Sequence, residues 1–572
     1  MSWTKLAETA RAWMAADPDP VTRAQAEAWL AAGDESSLRE AFGDRLRFGT
    51  AGLRGPLGAG PNRMNRLTVQ RVSAGLVGWL DTKNDGRPVV VGYDGRRGSR
   101  TFAADAAAVV AASGRQVFLY ESTVSTPELA HAVTALGCSA GAMVTASHNP
   151  PADNGFKVYG SNGAQILPVD DHVIAELAET VAIPVLGESE AVARIRIPPG
   201  AVREAWLTCV LAQRVHPNAH SSGLKIVYTA MHGVGKDLLL TLFRRAGWAE
   251  PILVLAQAEP DGEFPTVAFP NPEEPGALDL AIETARAHDA DLILANDPDA
   301  DRLAVVVRSG DDWLPLTGNQ VGILLADDLL ISGPQGANRM VALSLVSTSM
   351  LAAVARAHGV KCVETLTGFK WIAAAAIAHD ETGGRFVLGF EEALGYSVGS
   401  TVRDKDGISA ALIFADLAGH ARAHGKNVLD LLESAYRSYG LFETGQKSLT
   451  LPGMDGAEKI GAAMNRLRAN PPVRIGGVEV RVFRDLQRGV SLDIIAGRES
   501  PIDMPPSNVL AWELADGTRV LARPSGTEPK IKFYVEVREA VAAHEPLSEA
   551  RLRAQVRART TSEAIVRAAG LS

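Results

Sequence analysis

Three α/β units of similar build, with mixed and mostly parallel sheets, followed by a smaller C-terminal α+β domain, are the fold class this sequence predicts. Three observations carry the prediction. The chain has 572 residues, more than one hydrophobic core organises. From about residue 45, short β-rich runs end in polar or glycine-containing loops, and a helix-like stretch generally follows. After about residue 446 this alternation gives way to strands joined by short turns.

Taken in order, residues 1–44 read as a helical extension interrupted at Asp17-Pro18-Asp19-Pro20. Trp13, Trp29, Leu30 and Phe42 are its candidate buried positions, and it carries no evident chemistry. Val89-Val90-Val91 then leads into Gly92-Tyr93-Asp94-Gly95-Arg96, and Gly141–Val144 into Thr145-Ala146-Ser147-His148-Asn149-Pro150. Lys225–Tyr228 leads into Met231-His232-Gly233-Val234-Gly235 and an apolar helix. Asp291–Leu294 leads into Asn296-Asp297-Pro298-Asp299-Ala300-Asp301-Arg302, and Arg385–Leu388 into Gly389-Phe390-Glu391-Glu392-Ala393-Leu394-Gly395. Alternating strands and helices imply largely parallel sheets whose ligands gather at the carboxyl ends of strands. The spacing divides the chain into 1–44, 45–212, 213–320, 321–445 and 446–572. The last segment is read as antiparallel, with strands around Val478–Phe483 and Arg519–Ala522, a turn at Asp516-Gly517, and a hinge before it near Gly440–Gly445.

The composition, 46% hydrophobic and 22% charged, is that of a soluble globular protein. A net charge of −9 argues against a general nucleic-acid binder, but a local basic pocket for phosphate is compatible with it. Cys138, Cys209 and Cys362 lie far apart with no C-x-x-C pair, which suits a reducing compartment. Lys5, Glu8 and Arg11 interrupt the apolar residues of the N-terminus, so no signal peptide is read. No run reaches the length of a membrane span, and a cytoplasmic location is expected.

Four loops carry chemistry. Asp297, Asp299 and Asp301 alternate between two strand-like runs, and three carboxylates on one tight loop repel unless a cation neutralises them. Oxygen ligands suit Mg²⁺. An EF-hand is excluded because the sixth position is Arg302 and the twelfth Arg308. Ser147 could be a nucleophile, a phosphate carrier or a capping residue. A hydrolase pair with His148 is not expected, since adjacent residues rarely make one and no G-x-S-x-G surrounds the serine. Lys157 is flanked by apolar residues, so burial could lower its pKa, with a snorkelling surface lysine as the alternative. Arg523-Pro524-Ser525-Gly526-Thr527-Glu528-Pro529-Lys530 combines two cations, two hydroxyls and a glycine, a pattern suited to docking a phosphate already on the substrate, with a polar hairpin turn as the alternative. Glu391 and Glu392 could accept hydrogen bonds from sugar hydroxyls, act as an acid–base pair, or form a solvated turn. Thr367-Gly368-Phe369-Lys370 and Asp404-Lys405-Asp406-Gly407 are further polar loops whose roles stay open.

In this order, from about residue 45 to about 535, the loops resemble those of the α-D-phosphohexomutase family, the phosphoglucomutases and phosphomannomutases. The resemblance implies domains around a central cleft and an intramolecular phosphotransferase acting on a small phosphosugar, with no nucleic-acid or membrane partner, as a monomer or homodimer. It further implies that Ser147 carries the phosphoryl group and that Asp297, Asp299 and Asp301 hold Mg²⁺ together with the Ser147 phosphate. Arg54, within Thr50-Ala51-Gly52-Leu53-Arg54-Gly55, matches an active-site arginine, as does Arg302. Lys157 resembles a general acid/base, with His148 a second candidate, and Lys405 a lysine near the transferred phosphate. Thr367, Gly368, Glu391 and Glu392 match sugar contacts, and Arg523, Ser525, Gly526, Thr527 and Lys530 a distal phosphate site. Glucose 1,6-bisphosphate is the implied activator, interconversion of glucose 1-phosphate and glucose 6-phosphate the implied reaction. Where typical glucose mutases read Glu-Glu-Ser, this chain has Ala393 after the glutamates and Phe390 before them. That version, with Phe48–Arg54, is similar to a branch that includes phosphopentomutases and glucose-1,6-bisphosphate synthases.

Overall fold

In the computed structural model of the chain, residues 1–49, 52–185, 190, 193–451, 456–525 and 530–571 are described. The first 44 residues form three helices, Trp3–Ala16, Pro20–Ala32 and Glu35–Phe42. Ser2, Asp19 and Asp34 cap them, each accepting from a backbone N–H of the first turn. Leu6, Ala10, Trp13, Leu38 and Phe42 are buried against Ala59 and Leu67 of the segment that follows, while Trp29 and Leu30 are only partly covered.

The chain divides into two compact units, Met1–Val321 with Gly368–Gly425, and Gly322–Thr367 with Lys426–Ser572. In the first unit, one sheet runs in the order Phe48–Gly49, Gly52–Pro56, Asp153–Gly160, Ala140–Val144, Val89–Tyr93, Val117–Leu119, Ile195–Arg196. Its last four strands are parallel. Val89–Tyr93 and Ala140–Val144 are buried at every position, as expected for strands covered on both faces. A second sheet repeats the pattern in the order Asp312–Pro315, Leu303–Ser309, Leu292–Asn296, Ile226–Thr229, Ile252–Leu253.

The loops expected to carry chemistry depart from the strand-then-helix pattern. After the serine loop, Asp153–Gly160 returns antiparallel to Ala140–Val144. After the acidic loop, Leu303–Ser309 returns antiparallel to Leu292–Asn296, and after the glutamate loop, Gly395–Val398 pairs with Leu388–Glu391. All three are strand-to-strand returns. The first of these strands was obscured in the sequence by Asn154 and Lys157, polar residues that are fully buried here.

The second unit contains the parallel pair Arg339–Ser344 and Lys361–Thr365. Its larger sheet is antiparallel, in the order Leu441–Thr450, Lys530–Glu539, Arg519–Pro524, Leu510–Leu514, Val478–Asp485, Val490–Asp493, Arg498–Pro501. The segment expected to hold a hinge, Gly440–Gly445, lies where a helix gives way to a strand. Gly440, at φ 98°, ends the helix Val428–Tyr439, and Leu441–Thr450 pairs along its whole length with Lys530–Glu539, Gly445 facing Val535. Among the described residues no helix is long and apolar enough to cross a membrane.

Buried charge in the first unit gives a stability prediction. Asp416, on the helix Gly407–Ala423, accepts a bidentate pair of hydrogen bonds from Arg214 at 2.6 and 2.8 Å and a third from Trp248 Nε1 at 3.0 Å. Asp416→Ala leaves a buried guanidinium uncompensated and is expected to cost about 3–5 kcal/mol in denaturant unfolding. Mutase constants measured below the transition should change little.

Candidate active site

The strand Ala140–Val144 delivers the serine loop. Ser147 is buried in the left-handed region, at φ 51°, and its N–H donates to Thr145 Oγ1 at 2.8 Å. Its Oγ donates to Asp297 Oδ2 at 2.8 Å and lies 3.1 Å from His148 Nδ1. The pairing with His148 was not expected of neighbouring residues. The left-handed turn at Ser147 is what folds the two side chains onto each other. Burial, with Arg302 and Arg54 nearby, pushes the imidazole well below its ordinary pKa, so His148 is neutral.

Asp297, Asp299 and Asp301 are all buried, on a turn that Ala300 closes at φ 58°. Each offers a carboxylate oxygen within 4.8 Å of the others. Their remaining oxygens are well occupied. Asp297 Oδ1 accepts from Arg302 N at 3.0 Å, and Asp299 Oδ2 from Thr126 Oγ1 and Lys157 Nζ, both at 2.7 Å. Asp301 Oδ2 takes Lys157 Nζ at 2.9 Å and Lys405 Nζ at 3.1 Å. Asp299 Oδ1 and Asp301 Oδ1, by contrast, are buried without a hydrogen-bond partner among the described residues. Such oxygens are costly unless a cation takes them, and an all-oxygen donor set fits a hard divalent metal.

The electrostatics separate the three acids. Burial raises Asp297, and Asp299 and Asp301 raise it further, to well above the usual carboxylate range. Burial acts on Asp301 in the same direction, but Lys157, Lys405 and Arg302 outweigh it and hold that carboxyl low. Lys157 reverses its expectation. Burial does work against its charge, yet Asp299 and Asp301 overcome this and raise its pKa.

Around this centre stand the other cations. Arg54, on the strand Gly52–Pro56, donates to Asn149 Oδ1 at 3.3 Å and keeps a buried Nε without a hydrogen-bond partner among the described residues. Arg302 Nη1 lies 3.5 Å from Glu273 and its Nε 3.9 Å from Asp301. The glutamate loop joins through Leu303 N, which donates to Leu394 O at 3.0 Å. Glu391 accepts from Gly368 N at 2.7 Å, and both Glu391 and Glu392 are half-buried. Lys370, by contrast, is taken up by Asp171 at 3.6 Å.

The first unit thus gathers Ser147, His148, Arg54, Lys157, Arg302, Lys405 and the three aspartates. Thr367, Arg523, Ser525 and Lys530 belong to the second unit. There Arg523 and Lys530 lie on two strands paired antiparallel, with Ser525 N donating to Lys530 O at 2.7 Å. Gly526 and Thr527, like Thr50 and Ala51, lie outside the described residues. Sequence reasoning missed Thr126, whose N–H also donates to Asp299 O at 3.0 Å, because Ser125-Thr126-Pro127 reads as an ordinary helix start. It also missed Tyr159 and Gln165, which donate to Asp404 Oδ2 at 2.8 and 2.7 Å beside Lys405.

Known proteins resemble the chain over most of its length. The chain matches the phosphoglucomutase/phosphomannomutase α/β/α domains I, II and III over residues 45–182, 204–310 and 317–439, and the family's C-terminal domain over 457–552. The chain belongs to the phosphoglucomutase/phosphomannomutase family. It is a mutase, an isomerase in class. A Haemophilus influenzae protein named "Probable phosphomannomutase" is 41% identical over 480 residues, 83% of this chain and 93% of its own. A Schizosaccharomyces pombe "Probable phosphoribomutase" is 37% identical over 556 residues, 93% of each. The "Phosphoglucomutase" of Staphylococcus aureus (strain USA300) is 35% identical over 505 residues, 87% of this chain and 91% of its own. The fold is shared with parafusin from Paramecium in its open form, at 18% identity and a TM-score of 0.67, covering 92% of this chain and 97% of that one.

Proposed function

We propose that the chain interconverts glucose 1-phosphate and glucose 6-phosphate, carrying the phosphoryl group on Ser147 and passing through glucose 1,6-bisphosphate, which also serves as activator. The observation behind this reading is the Ser147 hydroxyl hydrogen-bonded to Asp297 inside a buried triad of carboxylates. In the forward step the bond from phosphorus to Ser147 Oγ breaks as a sugar hydroxyl oxygen bonds to phosphorus. The hydroxyl proton leaves to a base and Oγ recovers a proton. His148, neutral and 3.1 Å from Oγ, is suited to the exchange at the serine. Lys157, kept charged by two aspartates, is suited instead to offsetting charge on the phosphoryl oxygens, together with Arg54, Arg302 and Lys405.

Asp297, Asp299, Asp301 and Ser147 would hold Mg²⁺, which supplies Lewis-acid charge for phosphoryl transfer when bound. Under this reading residues 45–212 carry the phosphoserine, 213–320 the metal ligands, 321–445 the sugar contacts and 446–572 the grip on the standing phosphate. Thr367, Gly368, Glu391 and Glu392 receive the sugar hydroxyls, while Arg523, Ser525, Gly526, Thr527 and Lys530 receive that phosphate. The enzyme works in the cytoplasm as a monomer or homodimer, and its three cysteines are free thiols.

Phe390 and Ala393 favour a second reading in which mannose or pentose phosphates share the site, and relatives carry the corresponding names. The test is product formation from glucose 1-phosphate, mannose 1-phosphate and ribose 1-phosphate, with Mg²⁺ and a trace of bisphosphate. Conversion to glucose 6-phosphate is expected to be fastest, without release of free phosphate. Steady phosphate release without isomer would make the protein a phosphatase, and faster conversion of ribose 1-phosphate would move the substrate to pentoses.

A further inference from the structure

Arg96 follows the strand Val89–Tyr93 and is 4% exposed. Its guanidinium is spent almost wholly on backbone. Nη2 donates to Ser147 O at 2.7 Å and to Asn149 O, and Nη1 to Pro150 O at 2.9 Å and Asp153 O at 3.1 Å. Three carbonyls of the serine loop and one from the start of the return strand thus converge on one side chain. The planar fork is itself fixed from two sides. Asp94, with a fully buried side chain, lies 3.6 Å from Arg96 Nε and accepts from Arg96 N at 3.0 Å. The Phe264 ring, from the segment between the second-sheet strands Ile252–Leu253 and Leu292–Asn296, lies 4.9 Å from the guanidinium carbon.

That second support reaches the acidic loop. The His232 ring packs edge-on to Phe264 with centroids 6.4 Å apart, and Asp261 N donates to His232 O at 3.0 Å. Two residues further on, Val234 N donates to Pro298 O at 2.9 Å, between Asp297 and Asp299. Glycines permit the close approach along this path. A Cβ on Gly95 would lie 2.8 Å from Pro260, and one on Gly262 would lie 2.7 Å from Arg97 N. Ser147 is held at a positive φ that a free loop would relax, so some neighbour must over-determine it.

We propose that Arg96 is a positioning residue that sets the register of the serine loop against the acidic loop, and so the distance from Ser147 Oγ to Asp297. The inference rests on the reading of Ser147 as phosphoryl carrier. Lysine can replace the charge opposite Asp94 but not the fork that reaches four carbonyls. Arg96→Lys is expected to lower kcat about 10- to 100-fold, the effect of misplacing a reacting atom by a fraction of an ångström to an ångström. KM for glucose 1-phosphate should stay within about twofold, because ground-state binding is unaltered.

The experiment compares kcat, KM and Tm for wild type, Arg96→Lys and Arg96→Met, with Ser147→Ala alongside. A kcat loss in Arg96→Lys at unchanged KM and near-native Tm, deeper in Arg96→Met, supports the proposal. Wild-type kcat in Arg96→Lys overturns it, as does a kcat loss matched by the fraction of unfolded protein. Should Arg96→Met fail to fold, Arg96→Lys decides alone. Full activity in Ser147→Ala would instead remove the reading of Ser147.

Discussion

Ser147→Ala is expected to lower mutase turnover by about 10⁴-fold or more, because the phosphoryl group then has no carrier and water or background transfer must replace it. The measurement is conversion of glucose 1-phosphate at saturating bisphosphate, with phosphate incorporation into the protein followed by mass. Both should vanish together. The substitution should leave the fold in place. It removes a hydroxyl whose partners, Asp297 and His148, stay close to other polar groups, and alanine in the left-handed region costs only about 1–2 kcal/mol. Ser147→Gly is the sharper control. It relieves the backbone at φ 51° while still deleting the hydroxyl, so it should be at least as stable as Ser147→Ala and equally inactive.

The aspartates are expected to separate by stability as well as by activity. Asp297→Asn, Asp299→Asn and Asp301→Asn should each lower turnover by about 10³-fold, the loss of several kcal/mol of transition-state charge stabilisation, and weaken activation by Mg²⁺. Their folded states should respond differently. Asp301 pairs with both Lys157 and Lys405, so its neutralisation leaves buried ammonium groups short of a counter-charge and should lower Tm. Among the described residues Asp297 has no cation nearer than Arg302 Nε at 4.0 Å, and its two neighbours are carboxylates. Asp297→Asn should therefore keep or raise Tm in a chelator while losing the Tm increase expected of the wild type with Mg²⁺. Equal Tm changes in the two variants would refute this division of charge.

How much of this was legible in the sequence depended on the range of the interaction. Strands such as Val89–Tyr93 and Leu292–Asn296 announced themselves through apolar, β-branched runs, and the D-x-D-x-D spacing gave the acidic loop directly. What followed the serine loop was harder. Lys157 is buried because it meets Asp299 and Asp301, more than 140 residues away, and no local pattern encodes that meeting. The same distance reversed the direction of its pKa. The contact between Ser147 and His148 depended on one left-handed backbone angle, which glycine would have signalled and serine does not. Arg96 stood in a visible loop, but one arginine after a strand says nothing of four carbonyls beyond residue 146.

The three strand-to-strand returns also bear on kinetics. A loop tethered to paired backbone on both flanks has little freedom to swing, so the serine, acidic and glutamate corners act as fixed posts. Under the proposed function, a bisphosphate that presents first one end and then the other to Ser147 would not be turned by them. It would tumble in place or leave and return end-for-end. Turnover would then be a contest between rebinding and escape, and a bisphosphate that diffuses away would leave the serine without its phosphoryl group. The trace of activator needed to restore it would measure how often that contest is lost.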